Sequence, residues 1–508
     1  MKRERGDLVL GQRAASESLL NSTRCPRNSK LLAASLALVM GALVPFAAAE
    51  VDPAKLRSAL ESELKSLPAK TSVGLVVSDG GATPLYASNA DEPLKPASVL
   101  KLFTSAAAVR RLGTGFQFRT EFRRDGEDLL IIGGGDPGLA DERLSEKHKQ
   151  PRFRLFDDLA EALRRANVSE IDKIAIDDGI FDREYRHPDW PADQAADWYQ
   201  APIGALNLNN NCIDSIVRRG ESGPTIELIP ALPATFLRNE VKLGAKGRPS
   251  VTRAIDSDVL VFRGVVPPVG KNSPRDWQLS PIAVGDPTLF VGHAVKTALA
   301  ARGIRVRGDV VRRSLTPEKL RATPVLLAHQ TTLEDVLWRC NAFSQNMFAE
   351  CLIKAQAAYG PNGQRSGHAG TWERGAYVVR KTLSDAGMSM DGAILRDGSG
   401  LSHDNRVSAG QIVALLRSMQ GPDGAAFRAS LARAGEEGTM RSYKHGPLIG
   451  KFIGKTGTIR GVSTLAGYLT RSDGQTLMFA VMVNGERGAD IRQKIVKILA
   501  DTPSKSAK

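Results

Sequence analysis

Leu56, Leu60 and Leu64 recur at four-residue steps between Asp52 and Leu67, the repeat that brings apolar side chains onto one helical face. The stretch Thr71 to Val77 then reads as a strand, and a Gly80-Gly81 turn leads to a second short strand over Pro84 to Ala87. Pro96 opens a helix that runs to Gly113. Its body from Leu102 to Val109 is nearly all apolar, so this helix is expected to be central and buried. Near the far end, Ile449 to Arg460, Ser463 to Thr470 and Thr476 to Asn484 read as three successive strands of an antiparallel meander. Gly461 and Ser472-Asp473-Gly474 supply the turns. Ile491, Ile495, Ile498 and Leu499 mark one face of a closing helix, packed on that sheet or, alternatively, anchored at a membrane surface.

Between these ends the pattern changes. Thr331 to Tyr359 has helical composition, with a capping pattern at Thr331 and Glu334. Asp128 to Ile132 and Asp258 to Val265 are strand-like, and prolines and turns separate them. The pattern predicts a mixed α/β (α+β) fold in which residues 50–114 and 285–508 form one domain. An inserted region, 115–284, of two subdomains interrupts it. A chain of 508 residues exceeds one compact core, which agrees.

Gly133-Gly134-Gly135-Asp136-Pro137-Gly138 satisfies the dinucleotide spacing G-x-G-x-x-G. Asp136-Pro137 favours a turn where a helix should begin, no βαβ unit opens the chain, and no acidic strand end follows. The run is read as turn chemistry, and no cofactor is expected.

Composition narrows the setting. Lys30 precedes an apolar run, Leu31 to Val44, that ends in Pro45-Phe46-Ala47-Ala48-Ala49, the order of an export signal cleaved after Ala49. Residues 1–49 are therefore expected to leave, and the mature chain to be periplasmic with at most peripheral membrane association. The segment carries seven basic and three acidic residues, so its removal takes the net charge from +14 to +10. Such an excess suits an anionic polymer such as cell wall, or a membrane surface. No basic run with interleaved aromatics points to nucleic acid. Cys25 leaves with the signal, and Cys212, Cys340 and Cys351 are expected as buried free thiols. On one shared helix, Cys340 and Cys351 would stand about 16 Å apart, beyond disulfide reach of about 7 Å. The seven histidines show no His-Glu-x-x-His spacing, so zinc hydrolysis has little support and no metal is expected.

Three short motifs carry the chemistry: Ser98-Val99-Leu100-Lys101, Ser344-Gln345-Asn346 and Lys455-Thr456-Gly457. Each alone recurs easily by chance, and Ser62-Glu63-Leu64-Lys65 is a second match to the first. Their ordered combination is the signal. Ser98 and Lys101, three apart on a helix, share a face about 5 Å apart at Cβ. A serine alcohol needs a base at neutral pH, and a lysine serves when burial and a neighbouring cation, here Lys455, lower its pKa. A helix start turns backbone N–H groups toward a developing oxyanion, and those of Ser98 and Thr458 are the candidates. Ser344 is placed to shuttle a proton to the leaving amine and Asn346 to hold the substrate backbone. Lys455 and Thr456, on a strand edge with Gly457, are placed to grip a substrate carboxylate, a role for which the cation of Lys455 suffices.

With its gap of 246 positions between the first two motifs, this set resembles the class C low-molecular-weight penicillin-binding proteins, the D-alanyl-D-alanine carboxypeptidase/endopeptidase family (peptidase family S13). Supporting segments are Gly133 to Pro137, Trp190 through Ala201-Pro202, Ser344 through Glu350, Asp397-Gly398-Ser399-Gly400-Leu401-Ser402 and Lys455 through Tyr468. The resemblance implies a β-lactamase/transpeptidase-like domain with two nested inserts. It also implies hydrolysis of peptidoglycan stem peptides and cross-links through a serine acyl-enzyme, with β-lactams as covalent inhibitors. By the same resemblance Ser98 is the nucleophile, Lys101 the base, and Ser344, Asn346, Lys455 and Thr456 the support. His403 stands where arginine is familiar in relatives, and Arg460 where glutamine can occur, which bears on substrate preference. Asp193, in a Trp- and Tyr-rich stretch that resembles one lining the family's cleft, is read as the partner of a free amine on the stem peptide, with Asp197 as understudy. Two rivals remain: a β-lactamase, whose first motif gap is usually far shorter, and a non-catalytic wall-binding protein, which would have no use for Ser98 with Lys101.

Overall fold

The computed structural model describes residues 50–505 except 221, 268–275 and 487, so the expected export signal lies outside the described residues. A six-stranded antiparallel sheet joins the two ends of the described chain. Its order is Ala432–Arg433, Phe452–Ile459, Val462–Thr470, Thr476–Asn484, Ser72–Ser78 and Tyr86–Ser88. The expected meander is its centre.

Alternation along these strands feeds two cores. Val73, Leu75 and Val77 point to one face, where Leu56 and Leu60 of the Pro53–Lys65 helix meet Ile491, Ile495 and Leu499 of the Gly488–Asp501 helix. The closing helix thus has its apolar face covered by protein. Asp52 starts the first helix by accepting from the backbone N–H groups of Ala54 and Lys55, with Pro53 in the first turn. Among the described residues no helix is long and apolar enough to cross a membrane.

Val76, Ala466, Met478 and Ala480 face the other way, onto the Lys101–Leu112 helix and onto Asn346–Ala358, Trp372–Asp385 and Ala409–Ser418. Every residue of the Lys101–Leu112 helix except Arg110 and Arg111 is buried. Small Ala106, Ala107 and Ala108 let its neighbours approach, and Phe103 fills the remaining space. Truncating Phe103 to alanine would cost about 3–5 kcal/mol.

The middle of the chain builds a separate core around a five-stranded sheet ordered Val310–Arg312, Ile174–Asp177, Asp128–Ile132, Gln117–Asp125 and Val325–Thr332. Pro287–Ala300 and Arg154–Arg165 pack on it, so the packed segment reaches Thr332, beyond the 284 expected. Smaller sheets, Asp276–Ala283 with Cys212–Gly220 and Gly223–Ile229, and a group around Leu260–Val266, complete it. Asp128–Ile132 and Ile174–Asp177 are parallel and joined through the Arg154–Arg165 helix, a βαβ crossover absent from the sequence reading. The Gly133 to Gly138 turn after the first of these strands is still no phosphate cradle. A Cβ on Gly133 would stand 2.7 Å from the Ala205 oxygen and one on Gly134 2.1 Å from that of Arg119, so protein backbone occupies the space glycine opens.

The Thr331 cap is corrected by the structure. Val325–Thr332 is a strand paired with Gln117–Asp125, and Thr332 caps the following Leu333–Asn341 helix by accepting from the Asp335 N–H. Cys340 and Cys351 lie on different helices, and they and Cys212 are buried free thiols.

Candidate active site

Ser98 sits in a 3-10 turn, Ala97–Leu100, that precedes the α-helix rather than in the helix's own first turn. Ala97 has φ +47°, a left-handed conformation costly for a residue with a Cβ. Two glycines let backbone press on this turn from both sides. A Cβ on Gly400 would lie 1.9 Å from the Ala97 oxygen. One on Gly457 would lie 2.1 Å from Thr464 Oγ1 and 3.0 Å from the Ser98 nitrogen. Thr464 Oγ1 donates to the Pro96 oxygen at 2.7 Å, tying strand to turn. The glycine of the third motif therefore brings the sheet edge against the backbone of the nucleophile.

Lys101 is wholly buried, and its Nζ has three partners: Ser98 Oγ at 3.1 Å, Asn346 Oδ1 at 2.7 Å and the Ser399 carbonyl at 2.9 Å. Asn346 is oriented by its other end, since Nδ2 donates to the Tyr199 carbonyl at 2.8 Å. Burial pulls the Lys101 amine down to about 8, against the opposing pull of Glu350 and Asp397. Lys455 is also wholly buried, and burial and the Lys101 charge hold its amine well below the ordinary lysine value. Its Nζ donates to Ser344 Oγ at 2.8 Å and to the Thr456 carbonyl at 2.7 Å. Ser344, with φ +59°, lies in the bend between the Leu333–Asn341 and Asn346–Ala358 helices. The three motifs thus meet in one cluster of two serines and two lysines.

The remaining predicted residues are spread around this cluster. Thr456 is nearly buried and Thr458 exposed, and an Arg492 guanidinium from the closing helix reaches Thr458 Oγ1 and the Gly457 carbonyl, both at 3.1 Å. Arg460 is exposed just past the Phe452–Ile459 strand. His403 is half-buried, and burial followed by the Lys95 charge keeps its imidazole below the usual value, with Arg406 and Arg460 adding to the effect. Asp193 is exposed in the Ala192–Gln194 turn, whose segment reaches the cluster through the Tyr199 carbonyl. Asp197 is engaged, accepting from the Tyr199 hydroxyl at 2.8 Å.

Glu350 and Asp397 fall within segments that carry the family resemblance, but the sequence assigns them no chemical role, and Arg492 carries no local signature beyond its helix. Glu350 and Asp397 are wholly buried, and burial, with Asp397 adding to it, pushes the Glu350 carboxyl up to about 7. A cavity of about 760 Å³ is lined by Trp372, Tyr377 and Arg396 and by none of the motif residues. Size alone would place the site wrongly.

The model of the D-Ala-D-Ala carboxypeptidase 3 (S13) family matches residues 56–502. The D-alanyl-D-alanine carboxypeptidase of Actinomadura sp. (strain R39) is 31% identical over 446 residues, covering 82% of this chain and 78% of that protein. The D-alanyl-D-alanine carboxypeptidase DacB of Haemophilus influenzae is 25% identical over 451 residues, covering 85% and 89%. In fold, the crystal structure of penicillin binding protein 4 (dacB) from Haemophilus influenzae superposes with a TM-score of 0.70 at 22% identity, over 86% of this chain and 98% of that one. A family match that runs from the first helix to the last makes this chain a member of the D-Ala-D-Ala carboxypeptidase 3 (S13) family, and hence a serine-type peptidase.

Proposed function

We propose that the protein removes the terminal D-alanine of peptidoglycan stem peptides, and opens the equivalent bond in cross-links, through an acyl-enzyme on Ser98. The observation that carries this reading is the Lys101 amine, buried and poised near neutrality, 3.1 Å from the Ser98 hydroxyl. Neutral Lys101 takes the Ser98 proton as Oγ attacks the penultimate D-alanine carbonyl, and the N–H groups of Ser98 and Thr458 receive the oxyanion. The C–N bond breaks as Ser344 passes its proton to the leaving amine and takes one from the Lys455 ammonium, which is made good by the proton held on Lys101, so that the base is neutral again before the water step. Water then attacks the ester, the base takes its proton, and Ser98 is restored. Two of the Lys455 hydrogens are directed at Ser344 and Thr456, and the exposed Thr458 with Arg492 shares with Lys455 and Thr456 the grip on the substrate carboxylate. Asn346 holds the peptide backbone, and Asp193, His403 and Arg460 choose among side chains. The work is assigned to the periplasm, after loss of residues 1–49, and β-lactams are covalent inhibitors at the same serine.

The test is intact mass after incubation with penicillin, beside D-alanine release from a D-Ala-D-Ala peptide. A persisting adduct with release supports the peptidase. Rapid turnover of penicillin without release would make the protein a β-lactamase, and neither adduct nor release would make it a wall-binding protein.

A further inference from the structure

A neutral lysine amine has two N–H hydrogens and one lone pair, so where the hydrogens go decides where the lone pair points. Around Lys101 two partners can only accept, Asn346 Oδ1 and the Ser399 carbonyl. Ser98 Oγ, the third, can also donate. With both hydrogens directed at the two acceptors, the lone pair faces the Ser98 hydroxyl. The Ser399 carbonyl therefore aims the base as much as Asn346 does.

What fixes that carbonyl is Glu350. Its Oε1 accepts from the Ser399 N–H at 2.8 Å, and its Oε2 accepts from the Gly398 N–H at 2.9 Å and Trp372 Nε1 at 2.8 Å. Thr104 Oγ1 donates to the Gly398 carbonyl at 2.8 Å, and Asp397 accepts from Gly400 and Ser402 N–H groups on the other side of the turn. Lys354 lies 3.7 Å from the Trp372 ring centroid and pairs with Asp182, which fixes the plane of the indole. A wholly buried carboxylate is costly where an apolar side chain would pack as well. One that answers three N–H donors, and holds by its N–H the residue whose carbonyl accepts from Lys101, has a specific use.

We propose that Glu350 is a positioning residue for the proton transfer, holding the Gly398–Ser399 backbone so that the Ser399 carbonyl takes one Lys101 hydrogen and the lone pair faces Ser98. This rests on Lys101 being the base. Glutamine is the discriminating substitution, since it is nearly isosteric but must turn a donor toward at least one of the three N–H groups. Charge matters too. Lys101 faces Lys455 and Cys340 as well as Glu350 and Asp397, and the carboxylates favour its ammonium form.

The experiment measures the rate of acylation by penicillin against pH for the wild type and Glu350→Gln, with active sites titrated in each. The plateau rate per titrated site is expected to fall about 10- to 100-fold, as a small misplacement of a reacting group does. The upper part of the acid limb, above about pH 7 where the Glu350 carboxyl is ionised, is expected to move to lower pH, because a charge that favours the ammonium has gone. A residue that only supports the fold would lower the number of titratable sites and leave rate and limb in place; that outcome, or an unchanged variant, overturns the proposal. Should Glu350→Gln not fold, Trp372→Phe carries the test. It removes one donor to Oε2 and keeps the charge, so the plateau should drop about 2- to 10-fold with the limb unmoved, and an unchanged plateau overturns the proposal. Peptide mapping of the wild-type adduct keeps the two readings apart. Absence of an adduct at Ser98 would sink the assignment of nucleophile and base, whereas a normal wild type beside an unchanged variant sinks Glu350 alone.

Discussion

Lys455 Nζ donates to Ser344 Oγ at 2.8 Å across 111 positions of sequence, and the amine is wholly buried. Its other recorded acceptor is the Thr456 carbonyl, so the cation works inside the cluster and not on open solvent. The Ser344 hydroxyl and the Thr456 carbonyl close round a single buried nitrogen, and a planar guanidinium with five donors does not match that space. Retained charge should therefore not rescue Lys455→Arg, contrary to the reading that the cation alone suffices. Acylation by penicillin is expected to fall at least about tenfold, with about 1–3 kcal/mol of stability lost to overpacking. A variant that keeps more than half the wild-type rate would show that a positive charge is all the position needs.

Ser98→Ala should abolish both the penicillin adduct and D-alanine release. The fold should persist, since one half-buried hydroxyl is lost from a turn held by backbone contacts of Gly400 and Gly457. Ser62→Ala, on the exposed side of the Pro53–Lys65 helix, should change nothing measurable. Mass spectrometry on both variants decides, and an adduct on the Ser98 variant removes it as nucleophile.

The base must be neutral, and burial brings the Lys101 amine to about 8, below its ordinary value. Below that pH the ammonium dominates, so the acylation rate should climb about tenfold per pH unit and flatten above about 8. Arginine cannot give up its proton in a protein, so Lys101→Arg should be nearly as damaging as Lys101→Ala, with no such limb. Substantial acylation by the arginine variant would reduce Lys101 to a source of charge.

How far the sequence revealed this site follows from the range of each contact. Ser98 and Lys101 are three apart, and local geometry alone puts the amine beside the hydroxyl. The sheet meander and the buried helix were legible because their hydrophobic periods are strong. Glu350 was legible only as the end of a family-like segment and not by its role, because that role depends on Ser399, 49 positions away, and a glutamate in a helix has no chemical pattern of its own. Val325–Thr332 was hidden for a related reason: half-buried and ending in His329, Gln330 and two threonines, it lacks a clear alternation, and its pairing with Gln117–Asp125 spans the whole middle of the chain. The βαβ crossover was missed because the strands are brief and two helices intervene.

Asp193 is the freer acid of its segment, because Asp197 is bonded to Tyr199 while Asp193 is exposed in its short turn. The turn belongs to the segment whose Tyr199 carbonyl orients Asn346, so a side chain docked beside it would lie within reach of a peptide held at Asn346. Trp198, 49% exposed, offers an apolar face in the same segment. An amphipathic side chain ending in a free amine suits that pairing of flat ring and carboxylate. Exposure limits the energy, since a solvated ion pair contributes about 0.5 to 1 kcal/mol. Asp193→Asn is therefore expected to lower kcat/KM about two- to fivefold on a peptide bearing the free amine, and to leave a peptide with the amine acylated unaffected. The loss should shrink further at high salt, as screening predicts for exposed charges. Equal loss on both peptides, or none on either, would remove Asp193 from the site and leave side-chain selection to Arg460 and His403, which share a basic corner with Lys95.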